Sequence, residues 1–219
     1  MHVYRLEIVL QDMLYFASRE LGRTFTSEPY IHNYALSYAL GWAHSSYHDT
    51  LQVPHYREDL QVLNDVGVYV TPAKPLEVAV LAHTFKLADT RYQVKMEKSN
   101  KNVPSYGRIR ELAPESRFEA FVFSLQPRDF PAWIRLGKWM SKARVQAAEL
   151  PYQKAEGAFV VHHPLNALDV RLEPQLYDLI AIPPVSLINN GRFDGQHYKV
   201  QLLDSKEARA FPQAMAYGI

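Results

Sequence analysis

The run Trp133-Ile-Arg-Leu-Gly-Lys-Trp-Met-Ser-Lys-Ala-Arg-Val145 collects residue types that can hold a polyanion. Gly137 would let backbone approach a phosphate closely, Lys138 supplies a point charge, and Trp139 offers a plane on which an unpaired base can stack. Lys142 and Arg144 follow two residues apart, so a strand would show both on one face. Stacking of a base on an aromatic ring is worth roughly 1–3 kcal/mol, enough for a single tryptophan to matter. A plainer account makes the basic residues a solvated strand face. For Lys138, Lys142 and Arg144 the spacing favours RNA contact, whereas Trp133 reads as a core anchor.

A second basic stretch lies upstream. Residues 86–110 carry Lys86, Arg91, Lys95, Lys98, Lys101, Arg108 and Arg110 against Asp89 and Glu97, a local excess of +5. Residues 128–154 have an excess of +4, which leaves −8 for the rest of a chain whose net charge is +1. Such segregation suits a protein that meets a polyanion on one side and protein on others.

Other chemistries find less support. The chain has no cysteine, which removes disulfides, thiolate nucleophiles and every zinc site that uses sulfur. Among the nine histidines, His44 and His48 stand four apart with His55 following, but no carboxylate sits at the spacing of a zinc-protease helix. His162 and His163 would face opposite ways on a strand, so they cannot easily share a ligand. No Gly-Lys-Ser/Thr phosphate loop, Gly-x-Gly-x-x-Gly fingerprint or Gly-x-Ser-x-Gly elbow occurs. The predicted cofactor and metal complement is none.

The elements that must position these residues are mostly strands. Residues 3–10 alternate strictly and predict a half-buried strand. Residues 15–26 read as a loop. Ser27-Glu28-Pro29 looks like a helix start, followed by an apolar stripe at Ile31, Tyr34, Ala35, Tyr38 and Ala39 that Gly41 ends. Residues 42–64 are poorly periodic and read as irregular. Strands are expected at 66–71 and 76–85, then an exposed basic arm whose tip lies near Asn100. Residues 118–125 are apolar on both faces, a central strand. Asp129 would cap a short helix over 130–136 that Gly137 stops, before a strand over 142–150 with Ala143, Val145 and Ala147 inward. Apolar runs follow at 158–162 and 177–182. Residues 191–195 read as a hairpin tip before a last strand. The resulting β-α-β-β-α-β order is that of an α+β, ferredoxin-like domain of RNA-recognition type with additions.

Hydrophobic residues form 47% of 219, an ordinary globular composition for one domain with residues 86–112 as an inserted arm. No apolar run approaches the roughly 20 residues needed to cross a bilayer, and the N-terminus does not read as a secretory signal, so the expectation is cytoplasmic.

Three stretches in order carry a resemblance: Tyr15-Phe-Ala-Ser-Arg-Glu-Leu-Gly22 after the first strand, the 31–41 helix (Ile31-His-Asn-Tyr-Ala-Leu-Ser-Tyr-Ala-Leu-Gly41), and Ile134-Arg-Leu-Gly-Lys138 before a basic strand. Together they resemble the Cas-five family in its type I-D (Csc-one) form, over the whole chain. The resemblance implies a RAMP-type domain with a protruding β-hairpin thumb, here residues 86–112 with Lys95, Lys98, Lys101, Arg108 and Arg110. It implies a non-catalytic grip on the 5′ handle of the guide RNA (crRNA), with Lys138, Trp139, Lys142 and Arg144 on the gripping surface. It also implies a seat at the foot of a Cascade complex, between the large subunit and the adjacent backbone (Cas-seven type) subunit and near the PAM of the target DNA. The family's late glycine-rich loop is matched only loosely by Asn189-Asn-Gly-Arg-Phe-Asp-Gly195. A rival comes from the same superfamily, whose guide-processing endonucleases place a general-base histidine early in the chain. His32 with a nearby tyrosine and lysine would then cleave RNA without metal.

Overall fold

The computed structural model describes residues 1–45, 54–87, 105–203 and 207–218. The chain opens on β1 (His2–Leu10), whose alternation is realised: Tyr4, Leu6, Ile8 and Leu10 are buried on one face. The stretch expected as a loop then holds two short strands, β2 (Arg19–Leu21) and β3 (Thr24–Thr26), which pair with each other.

α1 (Asn33–Ala39) forms where the apolar stripe predicts, and Gly41, at φ +76°, follows its end. Its cap is His32, not Ser27: the His32 ring accepts from Tyr34 N, while the Ser27 hydroxyl donates to Phe16 O and accepts from Phe16 N. The Ser27 oxygen is thereby spent on the preceding segment, and residues 27–31 form no helix, with Ile31 bridged to Ala73.

α2 (Tyr56–Asp65) occupies part of the region read as irregular. Its signal is Tyr56, Leu60 and Leu63 at helical spacing, with Glu58 and Asp59 in the first turn, where the helix dipole favours acids. The exposed Val62 obscures the stripe.

β4 (Val68–Val70), β5 (Lys74–Glu77) and β6 (Val80–Leu87) follow, then β7 (Ser105–Leu112) and β8 (Arg117–Ser124). β8 is buried on both faces after its first residue, as its composition predicts. β9 (Trp133–Leu136) replaces the short helix expected over 130–136: Ile134 and Leu136 point inward, Trp133 and Arg135 outward. That period of two outweighs Asp129 as a cap. β10 (Ser141–Glu149) buries Ala143 and Val145, but Ala147 is exposed, contrary to expectation.

The remaining strands are β11 (Tyr152–Val161), β12 (Leu165–Asn166), β13 (Leu176–Ile180), β14 (Leu187–Gln201) and β15 (Ala208–Pro212). Residues 191–195 are no hairpin tip; they lie inside β14, paired with β11. Gly191 is required there because a Cβ would meet the Phe193 ring at 2.5 Å.

Six strands form the first sheet, in the order β4-β8-β1-β10-β9 with β5 also on β8, and every pairing is antiparallel. The fold is thus mostly β, with two helices among the described residues. Both helices lie against the first sheet, α1 near β9 and α2 near β4. On the side carrying Phe121 and Phe123, a second sheet built around β14 packs through Phe211 and Tyr198. Between the sheets, Arg5 Nε meets the buried Glu119 carboxylate at 2.7 Å. A third sheet runs β2-β3-β7-β6. No helix among the described residues is long and apolar enough to cross a membrane.

The C-terminal segment is locked beneath the helices. Asp169 accepts from Asn33 Nδ2 at 2.7 Å and from Gly218 N at 2.9 Å, and the Tyr217 hydroxyl shares a 2.7 Å hydrogen bond with Ser37. Burial pushes the Asp169 carboxyl up to about 7 and drives two buried histidines down, His163 to about 3 and His32 to about 4. Each histidine is neutral in the fold and gains a proton on unfolding below about 6.5, so its contribution is present above that pH and lost as pH falls toward 4. Asp169 has the opposite sign. Its folded pKa lies above the unfolded value of about 3.9, so its contribution is present at low pH and lost as pH rises toward 7. Two groups outweigh one, so these three together should lower stability on acidification from pH 6 to 4.5, by roughly 1 kcal/mol per pH unit. Urea unfolding across that range checks the sign; stability that rises on acidification would contradict it.

Candidate nucleic-acid interface

The four residues 137–140 close the turn between β9 and β10. Gly137 adopts φ +71° and Met140 φ +54°, and Met140 N donates to Gly137 O at 3.2 Å. The turn is fixed from outside by the segment that leaves β1. Lys138 N donates to Tyr15 O at 2.9 Å, Ser141 Oγ to Met13 O at 2.5 Å, and Lys142 N to Asp12 Oδ2 at 2.9 Å. A Cβ on Gly137 would stand 2.6 Å from Tyr15 O, so only glycine allows this approach.

Two glycine substitutions separate that contact from backbone strain. Gly41 also has a positive φ but nothing within 4 Å of its Cβ position. Gly41→Ala should therefore cost only the left-handed backbone penalty of roughly 1–2 kcal/mol. Gly137→Ala should cost more, because the Tyr15 carbonyl must move and with it the bond to Lys138. Denaturant midpoints of the two variants check this; equal shifts would show that the close approach is slack.

Trp139 lies on the turn beside Tyr15, ring centroids 4.9 Å apart and tilted by 35°, with 48% of its surface exposed. Trp133 is not the core anchor its composition suggests. It is also 48% exposed, and the Lys142 ammonium sits over its ring, 4.0 Å from the centroid. Arg144 is exposed and pairs in register with Trp133.

These cations share one hairpin but open into different concavities. Lys138 borders a cavity of about 500 Å³. Lys142 and Arg135 border a groove of about 620 Å³ between β9 and α1. Arg144 looks into a cleft of about 900 Å³ that also holds Glu7, Glu115 and the Arg117 that pairs with Glu7.

The second basic segment is linked to the Lys138 turn through backbone. Arg108 and Arg110 are exposed on β7, while Glu111 turns to the opposite face and lies against His83 there. β7 runs parallel to β3, and Leu112, at its end, exchanges two 2.9 Å hydrogen bonds with Leu14. Leu14 is thereby bonded to the foot of β7, and the next residue, Tyr15, to Lys138. β6 pairs antiparallel with β7 from Val80↔Leu112 to Leu87↔Ser105. Lys95, Lys98 and Lys101 lie outside the described residues.

The cavity beside Lys138 is a feature that sequence reading missed. Its walls include Phe16, Tyr30, Tyr34, Tyr38 and Tyr56, with His32 among them. Fourteen tyrosines in the chain were the available signal. His32 has both ring nitrogens engaged: Nδ1 accepts from Tyr34 N at 3.2 Å, and Nε2 donates to Val185 O at 3.1 Å. His162 and His163 do face opposite ways. His162 is exposed, and His163 is buried against Phe121 and within 2.9 Å of Pro72 O.

The family described as type I-D CRISPR-associated protein Cas5/Csc1 matches residues 1–219, and the chain belongs to that family. It is accordingly a CRISPR effector subunit. Among solved structures, a crystal structure of a CRISPR protein from Archaeoglobus fulgidus is similar with a TM-score of 0.50 at 12% identity, over 97% of this chain and all of that one. A chain in the cryo-EM structure of the type III-B Cmr-beta complex bound to cognate target RNA and AMPPnP aligns at a TM-score of 0.49 and 10% identity, over 87% of this chain and 86% of that one. A search of curated proteins finds no match.

Proposed function

We propose that this chain is the non-catalytic subunit that holds the 5′ handle of the guide RNA at the foot of a type I-D Cascade complex. The observation that carries the reading is the shared anchor at residues 14–15, which ties the Lys138 turn and the foot of β7, the strand that carries Arg108 and Arg110, to adjoining residues. Cations from two distant segments then line one path for a phosphate backbone, as a single-strand holder requires. The order β4-β8-β1-β10, with α1 between β1 and β4, supports a ferredoxin-like core; β6 and β7 would be the stem of its thumb. In this reading the large subunit and the adjacent backbone subunit meet the remaining faces, and the PAM of the target DNA lies nearby.

The engaged ring of His32 supports the absence of catalysis. Its one lone pair caps Tyr34 N, so it has none to offer a ribose hydroxyl. Incubating the protein with repeat RNA in EDTA tests this directly: RNA should stay intact, and a product that vanishes in His32→Ala would establish the endonuclease instead. For the holding role, effector particles assembled with and without this chain are compared for protection of the handle from nuclease. Equal protection would overturn the proposal.

A further inference from the structure

The aromatic cavity beside Lys138 is more than a hydrophobic recess. We propose that it receives one unpaired base of the bound RNA, turned out of the strand, with the adjoining phosphate on Lys138. The inference rests on the RNA-holding reading above and extends it to a base-sized subsite.

Charge decides what can enter. Among the described lining residues Lys138 is the one cation and no carboxylate is present. An anion held against the rings would lose its water and gain only neutral hydroxyls in return, whereas a neutral flat ring would lose little. His32 does not alter this, since burial keeps its imidazole neutral, with a pKa of about 4. A phosphate therefore belongs beside Lys138 and an aromatic heterocycle against the tyrosine rings.

The walls suit such a guest. Tyr56 meets Tyr34 at 5.0 Å and Tyr38 at 6.3 Å, tilted by 51° and 53°, so the rings do not close face to face on one another. Pro183 and Pro184 contribute a stiff apolar side, and about 500 Å³ lies within the range of roughly 300–1,000 Å³ typical of small-molecule pockets. Two of the described walls are also tied in place. The Tyr38 hydroxyl donates to Asp59 at 2.7 Å and ties α1 to α2, and the His32 cap fixes the start of α1. The hydroxyls of Tyr30 and Tyr56, in contrast, engage no described group and can serve the edge of a base.

The test is an abasic scan of the guide RNA's 5′ region with effector that contains the full chain. Removing one particular base should weaken binding about tenfold or more, the scale of a lost base–aromatic stack. Tyr56→Ala should weaken intact RNA similarly yet add almost nothing when that base is already missing. Tyr30→Ala provides the same cycle should Tyr56→Ala fail to assemble, and Tyr56→Phe should retain most of the affinity. A scan in which no position stands out, or in which the Tyr56 and base losses simply multiply, overturns the base pocket while leaving RNA holding intact. A partner subunit's side chain filling the cavity would give that outcome. Failure of the wild-type particle to bind the intact 5′ region at all would instead overturn the RNA-holding reading beneath it.

Discussion

Replacing Lys138, Lys142 and Arg144 together by alanine should lower the effector's affinity for handle RNA about a hundredfold at roughly 0.1 M salt. The magnitude follows from counterion release. Each phosphate contact on a single strand contributes a slope of about −0.7 in a plot of log affinity against log salt, so three contacts account for about two decades between 1 M and 0.1 M. The slope itself should flatten by about 2, and the two curves should converge at high salt. Lys142 alone should do less than Lys138, because its ammonium already rests on the Trp133 ring. Arg144 should contribute least where its cleft is shared with Glu7 and Glu115. Filter binding at four or five salt concentrations separates these outcomes. An unchanged slope in a folded triple variant would remove this hairpin from the RNA path.

The largest effect on stability is expected at Phe121→Ala. Phe121 is fully buried where the two main sheets meet, with Phe211 at 4.8 Å and His163 edge-on at 5.1 Å. Truncating such a ring costs roughly 3–5 kcal/mol, a large share of the 5–15 kcal/mol that stabilises a typical domain. For a chain of this size that corresponds to a fall in Tm of about 10–15 °C. Leu179→Ala on exposed β13 serves as the control and should stay within about 0.5 kcal/mol. A small shift for Phe121→Ala would mean that the second sheet is held on the first by something other than this aromatic cluster.

The parts of this fold that were readable in sequence are those whose burial is decided within the element. β1 alternates because one of its faces meets the helices, β8 carries apolar residues on both faces because it is covered on both sides, and α1 shows its stripe because it lies flat on the sheet. Elements whose character is set from outside were misread. β9 is a strand because Ile134 and Leu136 reach the core beside β10, although Asp129 and Gly137 imitate helix caps. Gly191 and Gly195 look like a turn, but they make room for Phe193 and Leu172 within a long strand. The candidate site divides in the same way. Lys138, Trp139, Lys142 and Arg144 could be found together because they share a dozen residues. The anchor at Tyr15 and the cavity walls could not, because Phe16, Tyr30, Tyr38, Tyr56 and Pro183 meet only once the chain has folded.

Photo-crosslinking of handle RNA in the assembled effector, with the attached peptides identified by mass spectrometry, bears most directly on whether two basic segments form one grip. The account predicts that the same few nucleotides attach both to residues 137–144 and to β7. Crosslinks confined to the sheet around β14, or reaching only one of the two segments, would contradict it.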